Sequence, residues 1–510
     1  MAAETPRRAR SAGILLHPTS LPGPHGIGDL GDGAYRFVDF LVRARQQIWQ
    51  LLPLGPTGLG NSPYAARSAF AGSPLLVALP PLHQQGLLDG ADLEDCPLFD
   101  VGRVDYDRVG AWKLDRLRRA YGRSLEPEHA ETQRRVAAFA AEQADWLDDY
   151  ALFMALRTAH DGAPWSRWGA SVRSREPAAL AAARRDLSEE VGFQQFVQWL
   201  FFEQWGALRR YANERGVRVM GDLPIFVAHD SADVWAHPEN FALDDKGEPT
   251  EVAGVPPDYF SATGQRWGNP LYRWDVLAAH GYRWWIERFR GLLRQVDMVR
   301  IDHFRGFAQC WAIPAEHETA EHGAWQQVPG ADLFRAVRDA LGPVPLVAED
   351  LGLITPDVEA LRLALGIPGM RVLQFAFGGD ATNPYLPHNY DWNTVVYTGT
   401  HDNDTSAGWY ATAPEAEREA VRTYLARDGS DIAHDLIRLA YESVADIAMA
   451  PLQDVLGLGS EARTNVPGRP EANWTWRFSA DALLPEHADW LAALVRTYGR
   501  DPRPAGTRAN

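Results

Sequence analysis

An arginine and an aspartate alternate with apolar residues in the segment that runs from Met298 to Asp302. In a β-strand, residues two apart point to the same face, so Arg300 and Asp302 would share a face with Met298. If that face lines a core, the arginine is buried and needs a carboxylate partner. The segment therefore predicts an arginine–aspartate pair at the end of a strand.

Further apolar segments also lead into acidic residues. Asp222, Glu349 and Asp402 each end or closely follow such a segment. A lone acid in this position usually caps a helix or forms a salt bridge. Several acids that converge on one place cost too much electrostatically to be incidental. We therefore interpret these three acids and Asp302 as one cluster that could do chemistry.

The chemistry follows from repulsion between neighbouring carboxylates. Two carboxylates about 5 Å apart repel by about 3 kcal/mol at an effective dielectric constant of about 20. This energy corresponds to about two pK units, enough to keep one acid protonated near neutrality while its neighbour is ionised. A protonated acid beside an ionised nucleophile is what retaining glycoside chemistry requires. Such chemistry needs no metal ion and no organic cofactor, and we expect neither.

Eight apolar segments are the predicted strands that would position these acids. Several are near-continuous apolar runs, as expected for parallel strands buried on both faces. In chain order the segments are Gly13–His17, Ile48–Pro53, Val217–Asp222, Asp297–Asp302, Pro345–Asp350, Arg371–Phe377, Thr394–Thr400 and Asp446–Pro451. Amphipathic helices are predicted between them, for example at Ala34–Arg45, Tyr282–Arg294, Leu333–Leu341 and Glu415–Ala426. The pattern predicts an α/β fold, a (β/α)8 TIM barrel, whose active site lies at the C-terminal ends of the strands.

The uneven intervals between the predicted strands indicate where this barrel is extended. The longest interval lies between the second and third strands, and residues of roughly 75–215 are predicted to form a helical insertion there. Residues of roughly 228–280 are rich in Gly, Pro and aromatic residues and predict an aromatic loop insertion over the active site. The residues after the eighth strand suffice only for the last helices, so we expect no C-terminal β-domain. Residues 1–510 are thus predicted to form a single catalytic barrel domain.

The composition excludes several other classes of function. The net charge of −17 argues against a nucleic-acid or anionic-membrane partner, because phosphate binding needs a clustered positive face. Lysine occurs only at Lys113 and Lys246, so neither a phosphate-loop lysine nor a Schiff-base lysine is available at a strand end. An acidic protein of this kind is compatible with a neutral substrate.

The same sequence leads us to expect a cytoplasmic protein. Cys96 and Cys310 do not make a disulfide framework, which favours a reducing compartment. The N-terminal residues include basic side chains but not the apolar core of a secretory signal. We also find no run of about 18 apolar residues that could span a membrane.

Two motif matches do not fit their usual functions. Gly26, Gly28 and Gly31 satisfy the dinucleotide-binding pattern, but the predicted strand ends too far upstream for the motif to work. His317 and His322 lie five residues apart, about 140° around a helix, so they cannot share a zinc ion.

Eight stretches between residue 11 and about residue 478 match one known family, several of them nearly residue for residue. They are SAGILLHPTSLPG (Ser11–Gly23), GNSPYAARSAFAGSPLL (Gly60–Leu76), GDLPIFVAHDSADVW (Gly221–Trp235), PPDYFSATGQRWGNPLY (Pro256–Tyr272), VRIDHFRGF (Val299–Phe307), VAEDLG (Val347–Gly352), VVYTGTHDNDTSAGWY (Val395–Tyr410) and ARTNVPG (Ala462–Gly468). With these motifs the chain resembles the amylomaltase/disproportionating-enzyme family of 4-α-glucanotransferases, a member of the α-amylase clan.

The resemblance implies roles for the acids and for two histidines. Asp302 would be the nucleophile that forms a covalent glucosyl-enzyme. Glu349 would protonate the leaving oxygen and then deprotonate the acceptor hydroxyl. Asp402 would hold the hydroxyls of the reacting sugar, and His401 and His303 would hydrogen-bond the substrate around the scissile linkage.

The resemblance also implies roles for the residues around the acids. Arg300 would orient Asp302 and keep it ionised, and Asp222 would support the site without reacting. Tyr64 would stack on the sugar at the cleavage site. Trp267, in the 256–272 loop, would lie over the acceptor side.

Two functions remain open at this point. The resemblance implies transfer of α-1,4-glucan segments between maltooligosaccharides, amylose or similar glucans, by a monomer or homodimer in glycogen, starch or maltose metabolism. An α-amylase-like retaining hydrolase would use the same three acids. The expected lack of a C-terminal β-domain favours transfer, as does the aromatic 256–272 loop, which could exclude water. A catalytically inactive glucan-binding protein would lack at least one acid, and none is missing.

Overall fold

The computed structural model describes residues 9–257, 261–469 and 472–500, and these contain twelve strands, β1 to β12. In chain order the strands are Ser11–Leu15, Ile48–Gln50, Arg218–Leu223, Glu251–Val255, Gln265–Pro270, Met298–Ile301, Gln309–Pro314, Ala324–Gln327, Leu346–Ala348, Gly369–Val372, Thr394–Tyr397 and Ile447–Pro451.

Nineteen α-helices, α1 to α19, lie in the same described part of the chain. In chain order they are Asp32–Arg43, Pro80–Gln84, Gly90–Glu94, Tyr106–Ser124, Ala130–Glu142, Ala144–Ala159, Ala170–Arg173, Pro177–Asp186, Ser188–Glu214, Ala232–Ala236, Trp274–Ala279, Arg283–Gln295, Gly330–Leu341, Pro356–Leu365, Ser406–Thr412, Glu415–Leu425, Ile432–Glu442, Leu452–Val455 and Pro485–Thr497. None of the helices within these described ranges is both long and apolar enough to cross a membrane.

Eight parallel strands close into a barrel in the order β1-β12-β11-β10-β9-β6-β3-β2. The predicted (β/α)8 barrel is therefore confirmed. One group of apolar side chains fills its interior, namely Ile48, Met220, Met298, Val347, Met370, Val372, Val395, Tyr397, Ile447 and Met449. Gly13 on β1 has no room for a side chain, because an added Cβ would lie 2.8 Å from the sulfur of Met449.

The barrel interior explains where the polar residues of the site come from. Asp222, Arg300 and Glu349 each follow an interior residue of their own segment by two positions, so they continue the inward-facing row. They form a polar layer above the apolar one at the C-terminal ends of the strands. The site is thus the last layer of the barrel core.

The sixth predicted strand had the wrong bounds. The prediction placed it at Arg371–Phe377, whereas the strand is Gly369–Val372 and Leu373–Phe375 form a 3-10 turn. The apolar run continues because Leu373 is buried in the core, not because the strand continues. Periodicity does not separate a buried strand from the buried turn that follows it.

The segment between β2 and β3 contains helices α2 to α9. The longest of them, α9, packs against the barrel, and the indole nitrogen of its Trp205 donates to the carbonyl of Gln295 at 2.9 Å. A buried ion pair holds α4, where Lys113 lies 3.1 Å from a carboxylate oxygen of Asp29. These helices occupy the part of the chain for which a helical insertion was predicted.

A second sheet, in the order β5-β4-β7-β8, is antiparallel throughout. Two of its strands, β4 and β5, belong to the region that was predicted as a loop. Gly254, Gly268 and Pro270 make these strands look irregular in sequence, and β4 is ordered by pairing with the distant β7. Residues 258–260 of the 256–272 loop lie outside the described residues, as do residues 1–8, on which the signal-peptide argument partly rests.

Candidate active site

Arg300 on β6 joins two carboxylates through a single nitrogen. Its Nη1 donates to both carboxylate oxygens of Asp222, at 2.8 and 2.6 Å, and to Oδ1 of Asp302 at 3.0 Å. Burial lowers the pKa of Arg300, but Asp222 and Asp302 outweigh this effect and hold the pKa well above its ordinary value. The guanidinium is therefore a fixed positive charge beneath both acids, as the strand pattern predicted.

The two acids on Arg300 differ in their exposure. The side chain of Asp222 is fully buried, whereas that of Asp302 is 26% exposed. Asp222 also accepts a hydrogen bond of 2.8 Å from the Tyr64 hydroxyl. Asp222 is thus enclosed by its partners, and Asp302 is the acid that faces the open mouth of the barrel.

Glu349 follows β9 directly and is held by backbone amides. Its Oε2 accepts from the amide of His303 at 2.7 Å, and its Oε1 accepts from the amide of Leu351 at 2.9 Å. Burial raises the pKa of Glu349 to about 8, with a further upward contribution from Asp302, while Arg300 opposes the rise. Glu349 can therefore carry a proton near neutrality, mainly because it is buried.

Asp402, in the segment after β11, is held as an ion. Its Oδ2 lies 3.3 Å from Nε2 of His401, and its Oδ1 accepts from the Asn465 amide at 2.6 Å. Burial alone would raise the pKa of Asp402, but His401, Asn465 and Arg300 lower it to about 2. Asp402 in turn raises the pKa of His401 against the effect of burial.

Aromatic rings line one side of the mouth. The rings of Tyr64 and His401 are stacked, with centroids 5.1 Å apart and planes 18° from parallel. Trp474 lies behind both of them, with its ring centroid 5.9 Å from that of Tyr64 and 6.0 Å from that of His401.

A further aromatic residue of the mouth, Trp267, lies on β5. This side chain is 38% exposed, and its ring meets His303 edge to face with a centroid separation of 4.8 Å. His303 has a left-handed backbone, with φ of 50°, and burial lowers its pKa to about 4. The ring of His303 is thus neutral. It contacts Trp267, and its neighbour in the sequence is Asp302.

The structure brings all nine predicted site residues to one end of the barrel. They are Tyr64, Asp222, Trp267, Arg300, Asp302, His303, Glu349, His401 and Asp402. For the carboxyl groups of Asp302 and Glu349 we predict a separation of about 5 Å, which is typical of retaining enzymes.

Sequence reasoning gave no role to Asn465 or Trp474. Both lie in irregular chain after the last barrel strand, where neither periodicity nor a strand end marks a residue as functional. One signal was present, because Asn465 belongs to the ARTNVPG stretch that matched the family.

A parallel (β/α)8 barrel whose mouth carries a glutamate with a raised pKa, an arginine-bound aspartate and an aspartate with a lowered pKa fits the class of enzymes that act on glycosidic bonds. The model of the 4-alpha-glucanotransferase family matches residues 16–482. The chain belongs to this family of enzymes.

Individual relatives agree with the family match. A 4-alpha-glucanotransferase of Thermus thermophilus is 54% identical over 499 residues, which cover 96% of this chain and 99% of the relative. One from Synechocystis is 52% identical over 495 residues, with 96% and 98% covered. The solved structure of an amylomaltase from Streptococcus agalactiae in complex with acarbose has a TM-score of 0.93 at 36% identity, covering 96% of this chain and all of that one. These relatives do not favour the hydrolase alternative.

Proposed function

We propose that this chain transfers α-1,4-glucan segments between maltooligosaccharides, amylose or similar glucans through a covalent glucosyl-enzyme. The observation that carries the proposal is the pairing of a protonated Glu349 with an Asp302 that Arg300 holds. Only such a pair provides an acid and a nucleophile at the same pH.

In the first half-reaction, a carboxylate oxygen of Asp302 attacks the anomeric carbon of the donor. The bond from that carbon to the glycosidic oxygen breaks, and Glu349 gives its proton to this oxygen. Asp402 stays ionised beside the reacting sugar, so it stabilises the positive charge that develops on the ring.

The second half-reaction requires Glu349 to become a base. Part of the raised pKa of Glu349 comes from the charge of Asp302. When Asp302 becomes an ester it loses this charge, so the pKa of Glu349 falls and the carboxylate is ready to accept a proton. It then takes the proton of the acceptor hydroxyl, whose oxygen attacks the anomeric carbon and releases Asp302.

The aromatic residues are assigned to the two sides of the scissile bond. Tyr64 stacks on the donor sugar next to Asp302, and its hydroxyl is anchored on Asp222. His401 and His303 hydrogen-bond the substrate. Trp267 forms the acceptor platform, which its exposure and its contact with His303 support.

Maltotriose distinguishes this function from hydrolysis. We expect pure protein to convert maltotriose into glucose and a ladder of longer oligomers, while the total number of reducing ends stays nearly constant. The products are sized by chromatography, and reducing ends are measured in the same samples. Reducing ends that rise in step with substrate loss would assign the chain to the hydrolases instead.

The wider setting of the enzyme belongs to the same proposal. We place it in the cytoplasm, in glycogen, starch or maltose metabolism, as a monomer or homodimer. Cys96 and Cys310 are both free thiols, which agrees with a reducing compartment. We also propose that residues 1–510 act as one catalytic domain, with residues 75–215 as a helical insertion and residues 228–280 as an insertion over the active site.

A further inference from the structure

Two short stretches after the last barrel strand contact the mouth of the barrel. In the first, Asn465 binds the carboxylate of Asp402, and Nη2 of Arg463 donates to the backbone carbonyl of Asp402 at 2.7 Å. In the second, Trp474 packs behind the rings of Tyr64 and His401. The two stretches are joined by a hydrogen bond of 2.7 Å from the amide of Trp474 to the carbonyl of Thr464.

Trp474 has a backbone conformation that is unfavourable for a bulky residue. Its φ is 64°, in the left-handed region, so surrounding contacts must hold it there. Its side chain is buried in a small cluster with Leu15 and Leu52, and Tyr64 packs against the same cluster. The position of this indole therefore depends on contacts that fix its backbone.

His401 is buried among the groups that orient it. Its ring stacks on that of Tyr64, its centroid lies 6.0 Å from that of Trp474, and its Nε2 lies 3.3 Å from Asp402. A small pocket lined by His17, Thr400 and Gln453, among others, borders the same residue. Tyr64, Trp474 and Asp402 therefore share in holding the ring in place.

Tyr106, the first residue of α4, holds the backbone of Trp474 through a hydrogen bond. Its hydroxyl donates to the carbonyl of Trp474 at 2.8 Å, and its ring packs against the same cluster as Tyr64. The residues just before α4 add a further link, because the amide of Val104 donates to the carbonyl of Thr475 at 2.7 Å. Burial raises the pKa of Tyr106 to about 12, so the hydroxyl keeps its proton at neutral pH.

We infer that Tyr106 is a positioning residue for glucan binding and transfer, which acts through Trp474 on the rings of Tyr64 and His401. The inference rests on the proposed function, since it assigns Tyr64 and His401 to the sugar at the cleavage site. Without the Tyr106 hydroxyl, the carbonyl of Trp474 loses its donor and the strained residue can relax. Both rings then lose the surface against which they pack.

The test compares Tyr106→Phe with Tyr441→Phe. The hydroxyl of Tyr441 donates a buried hydrogen bond to Gln46 at 2.8 Å, but Gln46 lies just before β2, at the opposite end of the barrel. We expect Tyr106→Phe to lower kcat/KM for maltotriose about 10-fold and to weaken acarbose binding by a similar factor. Tyr441→Phe should leave both within about 2-fold of the unchanged protein, although it too removes a tyrosine hydroxyl that is hydrogen-bonded.

A double-mutant cycle then tests the route through Trp474. Trp474→Phe should lower kcat/KM by itself, and adding Tyr106→Phe should lower it no further. Additive losses, or equal effects of Tyr106→Phe and Tyr441→Phe on acarbose binding, would overturn the inference. If Trp474→Phe fails to fold, the acarbose affinities of Tyr106→Phe and Tyr441→Phe still test the inference. Failure of the proposed function is separate, because it would show in the maltotriose products of the unchanged protein.

Discussion

Arg300 holds Asp222 and Asp302 through the same nitrogen, but the two carboxylates have different surroundings. Asp222 receives two contacts from it and a third from Tyr64, whereas Asp302 receives one and stays partly exposed. A carboxylate with fewer hydrogen bonds is the better nucleophile, because its lone pairs are less engaged. Since both residues are aspartates, the difference in hydrogen bonding and exposure singles out Asp302 as the proposed nucleophile.

Replacing the nucleophile is the first test of this assignment. Asp302→Asn should lower the rate of transfer from maltotriose by at least about 10⁴-fold, because a neutral amide does not form the glycosyl ester. The thermal midpoint should change by only a few degrees, since Arg300 keeps Asp222 as a partner. Circular dichroism and a melting curve provide the control. Retention of more than a hundredth of the activity would exclude Asp302 as the nucleophile.

The second prediction concerns Glu349 and pH. The acid must carry a proton in the first step, and its pKa is raised to about 8, so kcat/KM for maltotriose should stay high through neutrality and fall above about pH 8. An unshifted glutamate would already fail near pH 5. The measurement is a pH profile of initial rates.

Glu349→Gln separates proton donation from other roles of the same residue. On maltotriose the variant should lose about 10²- to 10⁴-fold, whereas the first step with an α-glucosyl fluoride, whose leaving group needs no proton, should be nearly unaffected. The release of fluoride in a single turnover measures that step. Equal losses on both substrates would remove the acid role from Glu349.

Among the secondary-structure elements, those that pack on the barrel could be predicted from the sequence. Predicted helices such as Ala34–Arg45 and Glu415–Ala426 correspond closely to α1 and α16, because an apolar stripe must face the barrel. The acids were found because the ends of parallel strands meet at one place. The antiparallel sheet was missed, since glycines and a proline interrupt the pattern of β4 and β5 and β7 lies far along the chain from β4.

The same distinction applies to the site. Asp302 and Glu349 could be predicted because each follows a strand directly. Asn465, Trp474 and Tyr106 could not, because only tertiary contacts link them to the mouth. Sequence pattern thus locates the proposed reacting groups more readily than the residues that orient them.

Helix α4 offers a prediction about stability. Lys113 is fully buried and pairs with Asp29, while its Nζ also donates to the carbonyl of Leu75 at 2.7 Å. Lys113→Met should destabilise the protein by about 3–5 kcal/mol, because it leaves the buried carboxylate of Asp29 unpaired. Denaturant unfolding measures the change.

The double variant Lys113→Met with Asp29→Asn serves as the control for that ion pair. It should recover a large part of the lost stability, since no uncompensated charge remains. A double variant that is no more stable than Lys113→Met alone would show that the buried charge is not the cause.

For the molecule as a whole, Trp267 connects the antiparallel sheet to the mouth of the barrel. This residue of β5 contacts His303, so the sheet extends the site beside His303. In the proposed function, the barrel supplies the groups that break the glycosidic bond, and the sheet supplies a surface on which a second sugar lies. The division matches the two needs of a transferase, which must bind an acceptor as well as cleave a donor.

Competition with water determines how strongly that surface must favour a sugar acceptor. Water is present at about 55 M and an acceptor hydroxyl at millimolar concentration, so transfer requires a preference of about 10⁴ to 10⁵, equivalent to about 6 kcal/mol. An acceptor oriented beside Glu349 can reach this, because effective molarities of about 10⁵ M or more are known for well-placed groups. A stacking ring is an efficient way to provide the orientation.

Trp267→Ala should therefore shift the enzyme from transfer towards hydrolysis. We expect the ratio of new reducing ends to glucose released from maltotriose to rise about 10-fold, because a loosened acceptor competes less well with water. Trp325→Ala is the matched control, since this tryptophan lies on β8 at the other edge of the same sheet and is similarly exposed, at 37% against 38%. Its product ratio should stay at that of the unchanged protein. If the two variants shift the ratio equally, the effect belongs to the sheet as a whole, and the acceptor platform is not Trp267.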